Sequence, residues 1–366
     1  MHYEKECWGT VKTIRILLSI LVVFIHANNL STYSIKSGYV FWIENYIGNG
    51  ICKMAVPFFF LLSGLCTYFS LDRNSSVKEN GPEIRKKMTS RIYSLLIPYI
   101  IWILITWGGT VLPKVLPVIS SHVGGSGEIV PSLKSFLITL FTANGTHLWF
   151  LNDLIILSFF MPVIFEIMRH KPIAVVICIV LFAANCFYSR ADTDWIRVLL
   201  DYLTGVLIAL HGKEVLAKSL ASPRSGWKIT VFSVLFLILS GVEAFILINN
   251  TGRPFENIVL FFMMICFWII FCNVTWNGKD YSFWLYLSHG LFLVYVKTAA
   301  YLILPKNEIV ALLSFFVIPV AVIFLLLGIA TLLDRKWPKL FSVLTGKRNG
   351  SEKRSEGKMV ETADAK

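Results

Sequence analysis

The chain is predicted to be an all-α, polytopic integral membrane protein with about ten transmembrane helices and both termini in the cytoplasm. Three observations predict this class. Hydrophobic residues fill 56% of the 366 positions and charged residues only 15%, far less charge than a soluble domain of this length carries. The mean hydropathy is +0.68. The apolar residues fall in long unbroken runs rather than in the weak alternating segments of a β-barrel.

A bilayer core takes about 20 apolar helical residues per span. Runs of that kind lie near 13–31, 53–71, 92–111, 147–167, 173–188, 197–211, 229–249, 258–274, 283–303 and 309–333. The fifth, sixth and eighth are short or polar. Segment 134–143, KSFLITLFTA, is too short to span and is expected to lie in the interface or to re-enter. The first run has no small-residue cleavage site after it and is read as a retained span, not a signal peptide. This gives an N-terminal tail over 1–12, a transmembrane domain over 13–333, and a basic, polar tail over 334–366 that is expected to be disordered.

Orientation follows from the basic residues. The segments assigned to the cytoplasm carry Arg73, Lys78, Arg85, Lys86, Lys87 and Arg91, then Lys213, Lys218, Arg224 and Lys228. The opposite loops carry only Lys36, Lys114, Lys134, Arg190, Arg253 and Lys306. That asymmetry places both termini inside. It also accounts for the formal charge of +12 without a nucleic-acid partner. The seven cysteines lie mostly inside apolar runs, with no C-x-x-C, and read as ordinary thiols rather than a disulfide framework or zinc site.

The first span carries two groups that hydrocarbon penalises. In RILLSILVVFIH, His26 stands 11 residues after Arg15. At about 100° per residue the two share one helix face, and they stand about 16 Å apart along the axis. One face therefore aligns a fixed cation at the cytoplasmic side with a titratable ring expected deep in the outer half. Arg15 also reads as a snorkelling anchor. His26 also reads as a packing histidine, although ionisable groups at depth are functional by default.

RILLSILVVFIH resembles the opening signature of the membrane acyltransferase 3 family: an Arg, ten residues, then a His. Further segments resemble the family in the same order: AVPFFFLLSGLCTY (55–68), IRKKMTSRIYSLLIPYIIW (84–102), HLWFLNDLI (147–155), DYLTGVLIA (201–209) and SFWLYLSHGLFL (282–293). The resemblance covers 13 to about 333. It implies a bacterial enzyme of the cytoplasmic membrane. Such an enzyme moves an acyl group, often acetyl, from cytoplasmic acyl-CoA onto a carbohydrate hydroxyl of a surface polysaccharide or a lipid-linked precursor. Some relatives carry an extra soluble domain after the last span. With only a short tail here, transfer is expected within the membrane unit or with a separate partner.

The residues suit that reaction. An alcohol is a poor nucleophile until a base takes its proton, and neutral histidine does this near pH 7; His26 is the candidate. Asn28 and Asn29 follow it and are placed to orient polar groups, with Asn29 assigned to substrate. Coenzyme A carries phosphates that need basic clamps. Arg15, Arg91 and Lys87 are the candidates, with Lys86 beside them; Lys86 and Lys87 also serve as topology signals. The family often places a second Arg three residues after the equivalent of Arg91, where this chain has Ser94. His147 and Trp149 open the fourth span and are assigned to the acceptor, with an aromatic-belt role as the alternative for Trp149. Asp153, in the same span, is assigned to catalysis as a partner of His26 or pairs with another polar group. His289, next to Ser288, is expected to touch the donor or to hydrogen-bond between helices. Asp201 and Glu243 receive no role.

No Gly-rich phosphate loop, H-E-x-x-H, G-x-S-x-G or metal-ligand cluster is present in the sequence. Metal and serine-nucleophile mechanisms therefore lack support, and no metal is expected. Acyl-CoA, a glycan acceptor and the lipid bilayer are the expected partners. A proton-coupled transporter or flippase is the rival class, since intramembrane Arg, His and Asp also suit proton-coupled transport.

Overall fold

The computed structural model describes residues 2–115, 132–187, 195–222, 224–250 and 252–346. Arg190 and the tail beyond Gly346 lie outside the described residues. Helix accounts for 81% of the structure, with no strand among the described residues. In chain order the helices are α1 (His2–His26), α2 (Gly38–Asn45), α3 (Ala55–Tyr68), α4 (Gly81–Arg91), α5 (Ile97–Val115), α6 (Leu133–Thr142), α7 (Trp149–Phe159) and α8 (Met161–Met168). They continue as α9 (Lys171–Phe187), α10 (Trp195–His211), α11 (Lys213–Ala221), α12 (Gly226–Asn249), α13 (Arg253–Phe271), α14 (Ser282–Ile303), α15 (Glu308–Lys336) and α16 (Pro338–Leu344).

Each of the ten expected spans falls on helix. Among the described residues seven helical runs are individually long and apolar enough to cross a bilayer, and nine are if each bent pair counts as one span. The two bent pairs are α7–α8, at 69°, and α10–α11, at 82°. Pro162, near the start of α8, is the local cause of the first break. Helix α9 has 17 residues, just short of that length. The short segment after the third span forms α6, ten residues with Leu133, Leu137, Ile138 and Phe141 exposed.

The chain divides into two compact units. The first comprises 1–85, 160–279 and 304–319; the second comprises 86–159, 280–303 and 320–366. In the first unit the closest helix pair is α3 with α10. Gly64 and Gly205 each face the partner helix so closely that an added Cβ falls on its backbone, at the carbonyl oxygens of Tyr202 and Leu61 respectively. Small residues let helix backbones meet where hydrocarbon provides no hydrophobic drive for association. One turn away, the Tyr68 and Tyr202 rings meet edge to face at 6.3 Å.

The same unit holds a buried polar network linking α9, α10 and α13. Arg197 Nη1 donates to Glu256 Oε1 at 2.9 Å, and its Nε lies 3.7 Å from Asp201 Oδ2. Asn185 Nδ2 donates to Asn257 Oδ1 at 2.9 Å. Asp201 is thereby accounted for as one of two carboxylates against a single guanidinium, a structural arrangement for charges withheld from water. Glu243, on α12, is fully buried.

The second unit is built on indoles. Trp102 and Trp284 meet edge to face at 5.4 Å. Trp284 Nε1 donates to the Leu326 carbonyl at 3.0 Å, and Trp102 Nε1 donates to the Leu344 carbonyl at 3.2 Å. The latter carbonyl belongs to α16, whose Phe341 is buried against Tyr281 and Trp284. The expectation of disorder from residue 334 is therefore corrected for 334–346. Phe341, buried against those two rings, docks the helix.

Candidate active site

Arg15 and His26 lie on one uninterrupted helix, α1, so their shared face holds. His26 is the last residue of α1, and its side chain is exposed, while Arg15 is half-buried. The cause is the Asn pair that follows. Asn28 Oδ1 accepts from the Leu30 backbone N–H at 3.0 Å, a local bond that competes with helix continuation. The Asn29 backbone N–H donates to Glu44 Oε2 at 2.7 Å, and Asn29 Nδ2 donates to the Ala311 carbonyl at 3.2 Å. These bonds turn the chain out of the helix five residues before the expected end of the span. Asn29 is 2% exposed and fixes this turn. Its side-chain donor is engaged by the Ala311 carbonyl.

The second unit holds the other candidates. Arg91 ends α4 and is followed at once by a π-helical turn, Ile92–Leu96, which packs against α7. Such turns occur mostly as single wide turns and often at functional sites. Arg91 lines a small pocket with Met88, Ile92, Ile155, Ser158 and Phe159. Lys87 is half-buried and Lys86 exposed on the same helix. The Ser94 backbone is covered by Gly346, which has φ +69°; a Cβ there would fall on the Ser94 carbonyl oxygen. Where the family often has a second Arg, this chain packs its own C-terminal segment.

His147 and His289 meet, with ring centroids 4.7 Å apart. A carbonyl oxygen only accepts, so the contacts assign each tautomer. His289 is fully buried, and its Nδ1–H donates to the Leu285 and Tyr286 carbonyls at 3.1 and 2.7 Å. His147 donates from Nε2–H to the Leu287 carbonyl at 2.9 Å. Its ring occupies the space a side chain would take at Gly290, and Tyr286 Oη donates to the His147 carbonyl at 2.9 Å. His147 thus clasps α14. The His289 bonds to Leu285 and Tyr286 stay within α14, and the contact beyond that helix is with the His147 ring.

Trp149 is 40% exposed at the start of α7, and Asp153 is half-buried one turn on. The Asp153 carboxylate lies near enough to act electrostatically on the Tyr99 and Tyr286 hydroxyls. Those hydroxyls donate elsewhere, Tyr99 to the Leu140 carbonyl at 2.8 Å and Tyr286 to His147. Asp153 therefore belongs with these tyrosines in the second unit, whereas His26 and Arg15 belong to the first. Sequence analysis did not single out Tyr99 and Tyr286, the neighbours of Asp153.

Among the described residues no group of three or more His, Cys, Asp and Glu side chains converges to hold a metal ion. The architecture is that of a polytopic α-helical membrane protein with ionisable groups placed along its helices. Its affiliation is specific: a family model described as an acyltransferase domain matches residues 9–331. The chain belongs to the acyltransferase 3 family and is a membrane acyltransferase. No curated protein and no solved structure matches it.

Proposed function

We propose that this enzyme transfers an acyl group, acetyl first among the candidates, from cytoplasmic acyl-CoA to a hydroxyl of a cell-surface polysaccharide or its lipid-linked precursor in the bacterial cytoplasmic membrane. The observation that carries this reading is the pair on α1: a guanidinium and an exposed imidazole on one helix face, three turns apart. Arg15 meets a phosphate of the donor, since a guanidinium matches phosphate oxygens with paired N–H groups. The pantetheine arm then runs along the helix face and brings the thioester toward His26. The imidazole takes the proton of the acceptor hydroxyl as its oxygen attacks the thioester carbonyl. The C–O bond forms, the tetrahedral intermediate collapses with loss of the C–S bond, and the imidazolium returns the proton to the departing thiolate. An exposed ring suits this role, because acceptor and product must both reach it. Arg91, beside its pocket, is a second candidate for the donor phosphates.

The test is labelled acetyl transfer from acetyl-CoA to envelope glycan, with purified enzyme in membrane vesicles. Label appears in the glycan with wild-type enzyme. Arg15→Ala raises KM for acetyl-CoA by about 10- to 100-fold, the loss expected for a charge-assisted hydrogen bond to an anion. Absence of label with every acyl-CoA tried overturns the donor. An unchanged KM in the Arg15→Ala enzyme removes the clamp.

A further inference from the structure

Segment 334–346 is fastened within the second unit at four points. Tyr281 Oη donates to Asp334 Oδ2 at 3.0 Å. Phe341 is buried against the Tyr281 and Trp284 rings, with centroids at 5.8 and 5.4 Å. Trp102 Nε1, on α5, donates to the Leu344 carbonyl at 3.2 Å. The fourth point is Gly346, which rests on the Ser94 backbone. Its φ is +69°, and a Cβ there would lie 2.6 Å from the Ser94 Cα and 2.7 Å from its carbonyl carbon. Glycine is needed twice over at this position, for the left-handed backbone and for the space. The buried Thr345 beside it donates from Oγ1 to the Phe341 carbonyl at 2.7 Å and closes the segment's end.

Ser94 is the middle residue of the π-helical turn Ile92–Leu96. That form is rare, and rare backbone forms persist where the surrounding structure over-determines them. Here α7 packs on the turn and Gly346 covers its middle residue. One functional side chain hangs on the turn. Arg91 is the last residue of α4 before it, and Ile92, its first residue, shares the Arg91 pocket with Ile155, Ser158 and Phe159 of α7. Arg91 therefore meets α7 across the turn, and the shape of the turn decides where the guanidinium points. Segment 334–346 does not line that pocket; it reaches Arg91 through the turn. We propose that segment 334–346 is a positioning element for donor binding: docked through Phe341, it sets Gly346 against Ser94 and holds the wide turn that places Arg91 at its pocket. This rests on Arg91 as a contact for the donor phosphates, proposed above.

The experiment uses the full-length protein in nanodiscs and has two readouts. The first is amide hydrogen exchange over residues 92–96, which needs no donor. Exchange there is about tenfold faster or more in Gly346→Val and in Phe341→Ala than in wild type, while α3 and α10 of the first unit keep wild-type rates. Phe341→Leu, which keeps most of the apolar volume, falls between. Gly328→Ala exchanges as wild type does, because its added Cβ meets nothing within 4 Å. The second readout is labelled acetyl transfer from acetyl-CoA. Gly346→Val raises KM for acetyl-CoA by about tenfold and leaves kcat within about twofold. In an Arg91→Ala background the same substitution changes KM by less than about twofold, because the segment acts through Arg91. Multiplicative effects of the two substitutions on KM overturn the proposal, as does an unchanged KM in Gly346→Val. Wild-type exchange over 92–96 in both Gly346→Val and Phe341→Ala overturns it whatever the donor. Absence of transfer by the wild-type enzyme overturns the donor reading instead, and the exchange readout then decides whether the segment holds the turn.

Discussion

Replacing His26 by Ala lowers kcat for acyl transfer by about 10²- to 10⁴-fold, the range that a positioned general base supplies. The chain around it should barely register the change. His26 is the last residue of α1 and is exposed, so truncation opens no core cavity, and the turn beyond it is held independently by Asn28, Asn29 and Glu44. Melting temperature and acetyl-CoA affinity therefore stay near wild type while turnover collapses. His26→Gln, which keeps polarity but cannot carry a proton, behaves like Ala. Equal labelling of glycan by wild type and His26→Ala would end the general-base assignment. Loss of activity accompanied by loss of acetyl-CoA binding would make His26 a positioning group instead.

The second large effect is on stability. Gly205→Leu prevents α3 and α10 from meeting, and Gly205→Ala already strains them. A Cβ at Gly205 falls on the Leu61 carbonyl and lies 2.9 Å from the Leu65 nitrogen; one at Gly64 falls on the Tyr202 carbonyl and lies 3.1 Å from the Val206 nitrogen. All four groups are backbone, so no side-chain rotation relieves the clash and the helices must part. Overpacking of a close contact costs about 1–3 kcal/mol for small additions, and Leu adds several times the volume of Ala. Because the glycines face each other's helices, the double Ala variant is non-additive: once the helices part for one, the second costs less. Gly328→Ala is the control, since nothing lies within 4 Å of its added Cβ on α15; there Ala is neutral or stabilising by about 0.5–1 kcal/mol. The measurement is a thermal melt in detergent, followed by tryptophan fluorescence. A Gly205→Ala protein that melts with wild type would contradict the close crossing.

Much of the fold could be read from composition, because apolar length is a local property and the bilayer imposes it. All ten runs from 13–31 to 309–333 became helices. Their ends were less legible. The apolar run 13–31 hides a turn at Asn28–Asn29 whose anchors, Glu44 and Ala311, are 15 and 282 residues distant. The break at α7–α8 has a local signal in Pro162, but apolar periodicity encodes neither that bend nor the one at α10–α11. Of the site, the Arg15–His26 alignment followed from helical geometry alone, since both lie on one element. The packing of His147 was not legible for the opposite reason. Its partners, Leu287, His289 and Gly290, lie about 140 positions away, and only the folded chain shows that its ring replaces a missing side chain on α14.

The wide turn at Ile92–Leu96 holds about one residue more than an α-helical turn would. Each residue advances a helix by about 100°, so the surplus one sets the angular phase of everything before it relative to everything after. Lys86, Lys87 and Arg91 take their bearing from that phase. The aim of three cations is thus encoded in a count of residues rather than in any residue's identity: a one-residue contraction of the turn would swing them together by roughly a quarter of a revolution, with every side chain still present and every charge conserved.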